Sequence, residues 1–96
     1  MDTMEDVMEA SQEAGDHWFE ESTMRFFKTT IESELIYGRY FITSEVNPCG
    51  ILRYSVRTVK FNEFGEYASI DTIGAFHSFD TMADALEIIN QEIKNS

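Results

Sequence analysis

Tyr40-Phe41-Ile42-Thr43-Ser44-Glu45-Val46, Asn47-Pro48-Cys49-Gly50 and Ile51-Leu52-Arg53-Tyr54-Ser55-Val56-Arg57-Thr58-Val59-Lys60 follow one another without a break. The outer two runs are rich in β-branched and aromatic residues and alternate in polarity, the pattern of strands. The four residues between them suit a type I turn, with Asn first, Pro second and Gly fourth. A hairpin over residues 39–60 is therefore predicted. Tyr40, Ile42, Ser44 and Val46 share one face with Leu52, Tyr54, Val56 and Thr58, the expected core side. Phe41, Thr43 and Glu45 share the other with Arg53, Ser55, Arg57 and Val59, expected to meet solvent or a partner.

A second turn is expected at Asn62-Glu63-Phe64-Gly65, with Gly65 left-handed. A further strand runs from Glu66 to about Phe76. After it, Asp80 or Thr81 caps a helix, and Asp84 completes a Thr-x-x-Asp pattern. Met82, Leu86, Ile89 and Ile93 fall on one stripe of that helix, with Ala85 beside them. An α+β domain follows: a two-layer antiparallel meander of three or four strands under a C-terminal helix.

The N-terminal third is less decided. Met4, Val7, Met8 and Ser11 recur at helical spacing, so residues 1–15 form an acidic extension, either a docked helix or a frayed one. Residues 16–96 form the domain proper. Asp16 is a candidate N-cap for a second short helix through Ser22, and Trp18 and Phe19 need cover. Met24, Phe27, Ile31 and Leu35 fit a helical face, but Thr29-Thr30-Ile31 is β-branched and disfavours helix. A strand over 25–31 is the reading adopted. The sheet's second face is left open: solvated, paired in a homodimer, or capped by the N-terminal segment with Trp18 and Phe19.

Charge is segregated. The net charge is −11. Residues 1–21 carry eight acids and no Lys or Arg, residues 22–61 sum to +3, and residues 62–96 to −6. Such a field opposes nucleic acid at long range and favours basic partners. Apolar residues make up 43% of the chain, enough for one compact core. The single cysteine, Cys49, excludes an internal disulfide, and His17 and His77 lie far apart, so zinc spacing is missing. No apolar run suffices for a membrane span and no signal peptide is evident, so a cytoplasmic setting is expected.

Phe26-Phe27-x-Thr29-x-Ile31, Gly38-x-Tyr40-Phe41-Ile42-Thr43-Ser44-Glu45, Arg53-Tyr54-Ser55-Val56-Arg57 and Ile73-Gly74-x-Phe76 together resemble a group of small uncharacterised proteins encoded by phages and related mobile elements. The resemblance covers roughly residues 24–86. It implies a phage accessory protein acting inside a bacterial host cell, and carries no activity.

Catalytic chemistry finds little to start from. Cys49 sits in a turn without an adjacent His, and neither a phosphate-binding Gly-rich loop nor a nucleophile elbow is present. A non-enzymatic protein without a cofactor is expected, acting by binding a bacterial host protein with a basic surface, as monomer or homodimer. One version is an inhibitor of a defence or nucleic-acid-processing complex that presents carboxylates as a DNA mimic. The candidate contact residues are Asp2, Glu5, Asp6, Glu9, Glu13, Glu20 and Glu21. The acids of the last helix (Asp80, Asp84, Glu87, Glu92) would join them in one negative surface. The alternative is a single-strand nucleic-acid module using Arg39, Phe41, Arg53, Arg57 and Lys60.

Overall fold

The computed structural model describes residues 3–16, 18–74 and 79–95. Among these described residues three helices, α1 (Met4–Glu13), α2 (Glu21–Phe27) and α3 (Met82–Lys94), accompany four strands: β1 (Thr30–Ile31), β2 (Tyr40–Val46), β3 (Leu52–Phe61) and β4 (Tyr67–Ile73). The strands form one antiparallel sheet in chain order. The α+β meander with its C-terminal helix is thus the fold observed.

Two near-identical turns set the register. Asn47 Oδ1 accepts from the backbone N–H of Cys49 and Ile51, while the Asn47 carbonyl accepts from Gly50 N–H. Asn62 repeats this, with Oδ1 accepting from Phe64 and Glu66 and the carbonyl from Gly65. The asparagine side chain closes the loop and the fourth residue must turn left-handed. Gly50 (φ +83°) and Gly65 (φ +78°) do so. The first turn brings Val46 opposite Leu52 and Phe41 opposite Arg57.

Alternation then sorts the side chains into two cores, one on each face of the sheet. Tyr40, Ile42 and Val56 pack against Ala85 and Ile89 of α3. Thr81 caps α3 by accepting from Asp84 N–H. Leu86 is instead 41% exposed, because the stripe facing the sheet centres on Ala85. Leu52 is exposed as well, at the turn end of β3.

The other face is not open. Phe41, Val59 and Ile70 pack against Met4 and Val7 of α1 and against Phe19. Of the three coverings left open above, the N-terminal segment supplies the cover. A reciprocal box of Thr3 and Asp6 starts α1, and the apolar stripe expected there is the buried one. Below it, the Tyr67 hydroxyl donates to Asp16 at 2.6 Å. Burial, and then the Asp16 carboxylate, push the Tyr67 phenol up to about 12.

Two expectations for the N-terminal third are corrected. Asp16 caps no helix, since it accepts from Tyr67, and the second helix starts at Glu21. The strand over 25–31 shrinks to Thr30–Ile31. The helical face through Met24 and Phe27 prevails upstream, supported by the i,i+4 pair of Glu21 and Arg25. Lys28, left-handed at φ 53°, ends the helix just before the β-branched run. His17, His77 and Phe76 lie outside the described residues. Among the described residues no helix is long and apolar enough to cross a membrane.

Candidate interaction site

The acids of the N-terminal third stand on α1 and at the start of α2. Burial of Met4, Val7 and Ser11 turns the opposite face of α1 outward. Glu5, Glu9 and Glu13 lie on it at i, i+4 and i+8, all exposed. At 1.5 Å rise per residue they form a row at intervals of about 6 Å. Asp6 is partly engaged in the capping box with Thr3. Glu20 is the exposed N-cap residue of α2, with no side-chain cap bond, and Glu21 pairs with Arg25. Asp2 lies outside the described residues.

Glu5, in the first turn, suits the positive end of the α1 dipole, but the rest of the row works against the helix. Like charges at i,i+4 cost about 0.2–0.5 kcal/mol per pair. Glu13 also stands at the negative end of the helix dipole, and the last turn of α1 has no basic residue. The acids of α3 do not extend the row. Asp84, Glu87 and Glu92 belong to the helix on the opposite face of the sheet, and Asp80 pairs with Arg53 at 2.6 Å. The single negative surface expected from both ends of the chain is therefore not formed.

The basic face is corrected more sharply. Arg57 is 2% exposed and Phe41 1%. The Arg57 side chain runs along the sheet from its position opposite Phe41. Its Nε donates to Thr43 Oγ1 at 3.2 Å, one terminal nitrogen to Thr72 Oγ1, and the other to Glu45 Oε1 at 3.1 Å. The Trp18 ring lies over the guanidinium, 4.9 Å from Cζ to the ring centroid. Thr29 Oγ1 donates to the second Glu45 oxygen at 2.8 Å. Burial pulls the Arg57 guanidinium below its usual value, and the Glu45 carboxylate opposes that by favouring the charged form. Arg53 is half-buried against Asp80. Arg39 and Lys60 are exposed, bordering a depression beside Glu92 and Asn95 at the C-terminal end of α3. The five residues of the alternative surface thus do not assemble into one open face.

One feature of the site was not anticipated. Where α1 ends, the same sheet face continues under Trp18 and α2 as a groove of about 360 Å³. Trp18, Phe19, Phe27 and Phe41 line it, with Arg57 and Glu45 in its floor. The Phe19 and Phe41 rings pack at 5.9 Å between centroids. Trp18 is 40% exposed, Phe27 50% and Phe26 80%, and α2 has no buried residue. The adjacent Trp18-Phe19 pair was the sequence signal for this region, but the placement of Phe27 beside it depended on α2 being helical. Cys49 is exposed in its turn.

No curated protein and no solved structure matches the chain. A family model does, across residues 3–90, so α1 and the sheet both fall inside the match. The chain belongs to the family of unknown function DUF7447.

Proposed function

We propose that this is a non-enzymatic acidic binding protein that docks on a basic surface of another protein through α1. The row of Glu5, Glu9 and Glu13 carries the reading. Beyond the first turn Glu9 and Glu13 cost the helix stability, the last turn has no basic residue to offset them, and the chain carries a net charge of −11. Local choices that oppose folding are expected where function requires them. A row of carboxylates on a rigid helix suits a Lys/Arg groove that otherwise receives phosphates, and its field accelerates encounter. Proteins with such grooves include the nucleic-acid-processing and defence complexes of bacteria. The resemblance to small phage proteins supports that setting: an accessory protein in the cytoplasm of a bacterial host, inhibiting such a complex as a DNA mimic. Burial of Arg57 and Phe41 weighs against the single-strand nucleic-acid alternative.

The test is capture from bacterial lysate on immobilised protein. A basic, nucleic-acid-binding protein is expected, released steeply as salt rises. Reversing the row (Glu5→Lys, Glu9→Lys, Glu13→Lys) should abolish capture. Capture indifferent to that reversal rejects the proposal.

A further inference from the structure

The groove under Trp18 and Phe27 has a composition unlike the acidic row. Its walls are aromatic, and the charges in its floor are already engaged with each other and with threonines. All three nitrogens of Arg57 donate to protein acceptors and Trp18 covers its face, so the guanidinium is not poised to take a phosphate. What such a groove can still gain from is apolar surface. Exposed Trp18 and Phe27 lose water contact when a side chain enters between them, which is the usual make-up of an interface hot spot.

We propose that this groove takes one aromatic or large aliphatic side chain of a protein partner, flanked in that partner by Lys or Arg. The flanking charge follows from the segment that builds the wall. Trp18, Phe19, Thr23, Phe27 and Thr29 come from a stretch whose described residues 3–29 include seven carboxylates against two cations, Lys28 and Arg25, the latter already paired with Glu21. A second copy of the chain brings another net charge of −11 to the same place and is disfavoured. The proposal rests on the reading of a basic protein partner and adds the anchor that a row of carboxylates lacks. Charge steers and sets the salt dependence, whereas the filled groove discriminates among basic partners.

Trp18 is the single tryptophan, so its emission reports on the groove directly. The probes are two synthetic peptides, Ac-KKFKK-amide and Ac-KKGKK-amide, neither of which contains tryptophan. The phenylalanine peptide should shift Trp18 emission and bind about tenfold tighter or more than the glycine peptide. Phe27→Ser, at a half-exposed position, should erase that difference while leaving the salt-dependent binding common to both. Thr23→Tyr, which fills the groove from α2, should do the same if Phe27→Ser perturbs folding. Equal affinity of the two peptides overturns the anchor and leaves the acidic row standing. A phenylalanine preference that survives in a chain whose lysate capture ignores reversal of Glu5, Glu9 and Glu13 sustains the anchor and rejects the row. Absence of any shift at about 1 mM peptide overturns the anchor. So does a Trp18 response to oligothymidylate that exceeds the peptide response, or protection of Trp18 in a dimer seen by sedimentation.

Discussion

Arg57 shows how one side chain ties the molecule together. It joins β3 to β2 through Thr43 and Glu45, to β4 through Thr72, and to the N-terminal segment through Trp18. A buried ion pair is weak evidence of net stabilisation, but breaking one leaves an uncompensated charge inside. Glu45→Gln or Arg57→Ala should each cost about 3–5 kcal/mol. In a domain of this size each kcal/mol lowers Tm by roughly 4–8 °C. Arg57→Lys should not rescue, because a single ammonium cannot serve three acceptors spread over two strands and an aromatic face. The informative variant is Glu45→Leu with Arg57→Met. Removing both charges removes the desolvation cost, so the pair should be less destabilised than the sum of its single changes. Urea denaturation of the unaltered protein, Glu45→Leu, Arg57→Met and the double variant closes the cycle. Additive losses would mean that the two side chains are not coupled.

The pairing of Glu45 with Arg57 was not legible in the sequence, and the reason lies in the elements. Alternation and the Asn-Pro-Cys-Gly turn put Glu45 directly opposite Arg53, as observed. Yet Arg53 turns to Asp80, and Arg57 reaches along the strand past Thr43. Register identifies neighbours, whereas the direction of a long side chain depends on what covers the sheet. The same cover explains why the solvent-facing arginine face was wrong. Strong turns, strict alternation and the capped last helix were readable because each is a local signal. α2 was not, since its helical and extended patterns overlap over residues 24–31, and the left-handed Lys28 that divides helix from strand is a backbone choice its side chain does not announce. At the scale of α1 the charge row makes its own forecast. Glu9 has Glu5 and Glu13 four residues to either side, so Glu9→Gln relieves two repulsions of about 0.2–0.5 kcal/mol each. Thermal unfolding at low salt should show a rise in Tm, and the gain should shrink at high salt as screening removes the repulsion. Capture of the partner should weaken in the same variant. A Tm unchanged at both salt concentrations would mean that the row imposes no strain on the helix.

For the whole molecule, the question is whether α1 is an appendage or part of the fold. In sequence, residues 1–15 are an acidic amphipathic segment that either docks as a helix or frays. In the structure Met4 and Val7, at 6% and 0% exposure, complete the core on one face of the sheet, while α3 completes the other. Burying each such side chain contributes about 1.5–3 kcal/mol. Deleting residues 1–15 should therefore cost about 3–6 kcal/mol and uncover Phe41, Val59 and Ile70. That is a large share of the roughly 5–15 kcal/mol typical of a native protein. The deletion also removes five acids, which acts in the opposite sense by lowering the net negative charge. Packing should win, because the surface repulsions are worth only tenths of a kcal/mol each. The two contributions separate experimentally. The untruncated chain with Glu5, Glu9 and Glu13 changed to Gln reports the charge effect alone and should be slightly stabilised. The truncated chain should lose its cooperative urea transition, or shift it far down, and bind a hydrophobic dye on the uncovered face. An unchanged urea midpoint in the truncated chain would show that the sheet needs only one helical cover, and that α1 is carried for binding alone.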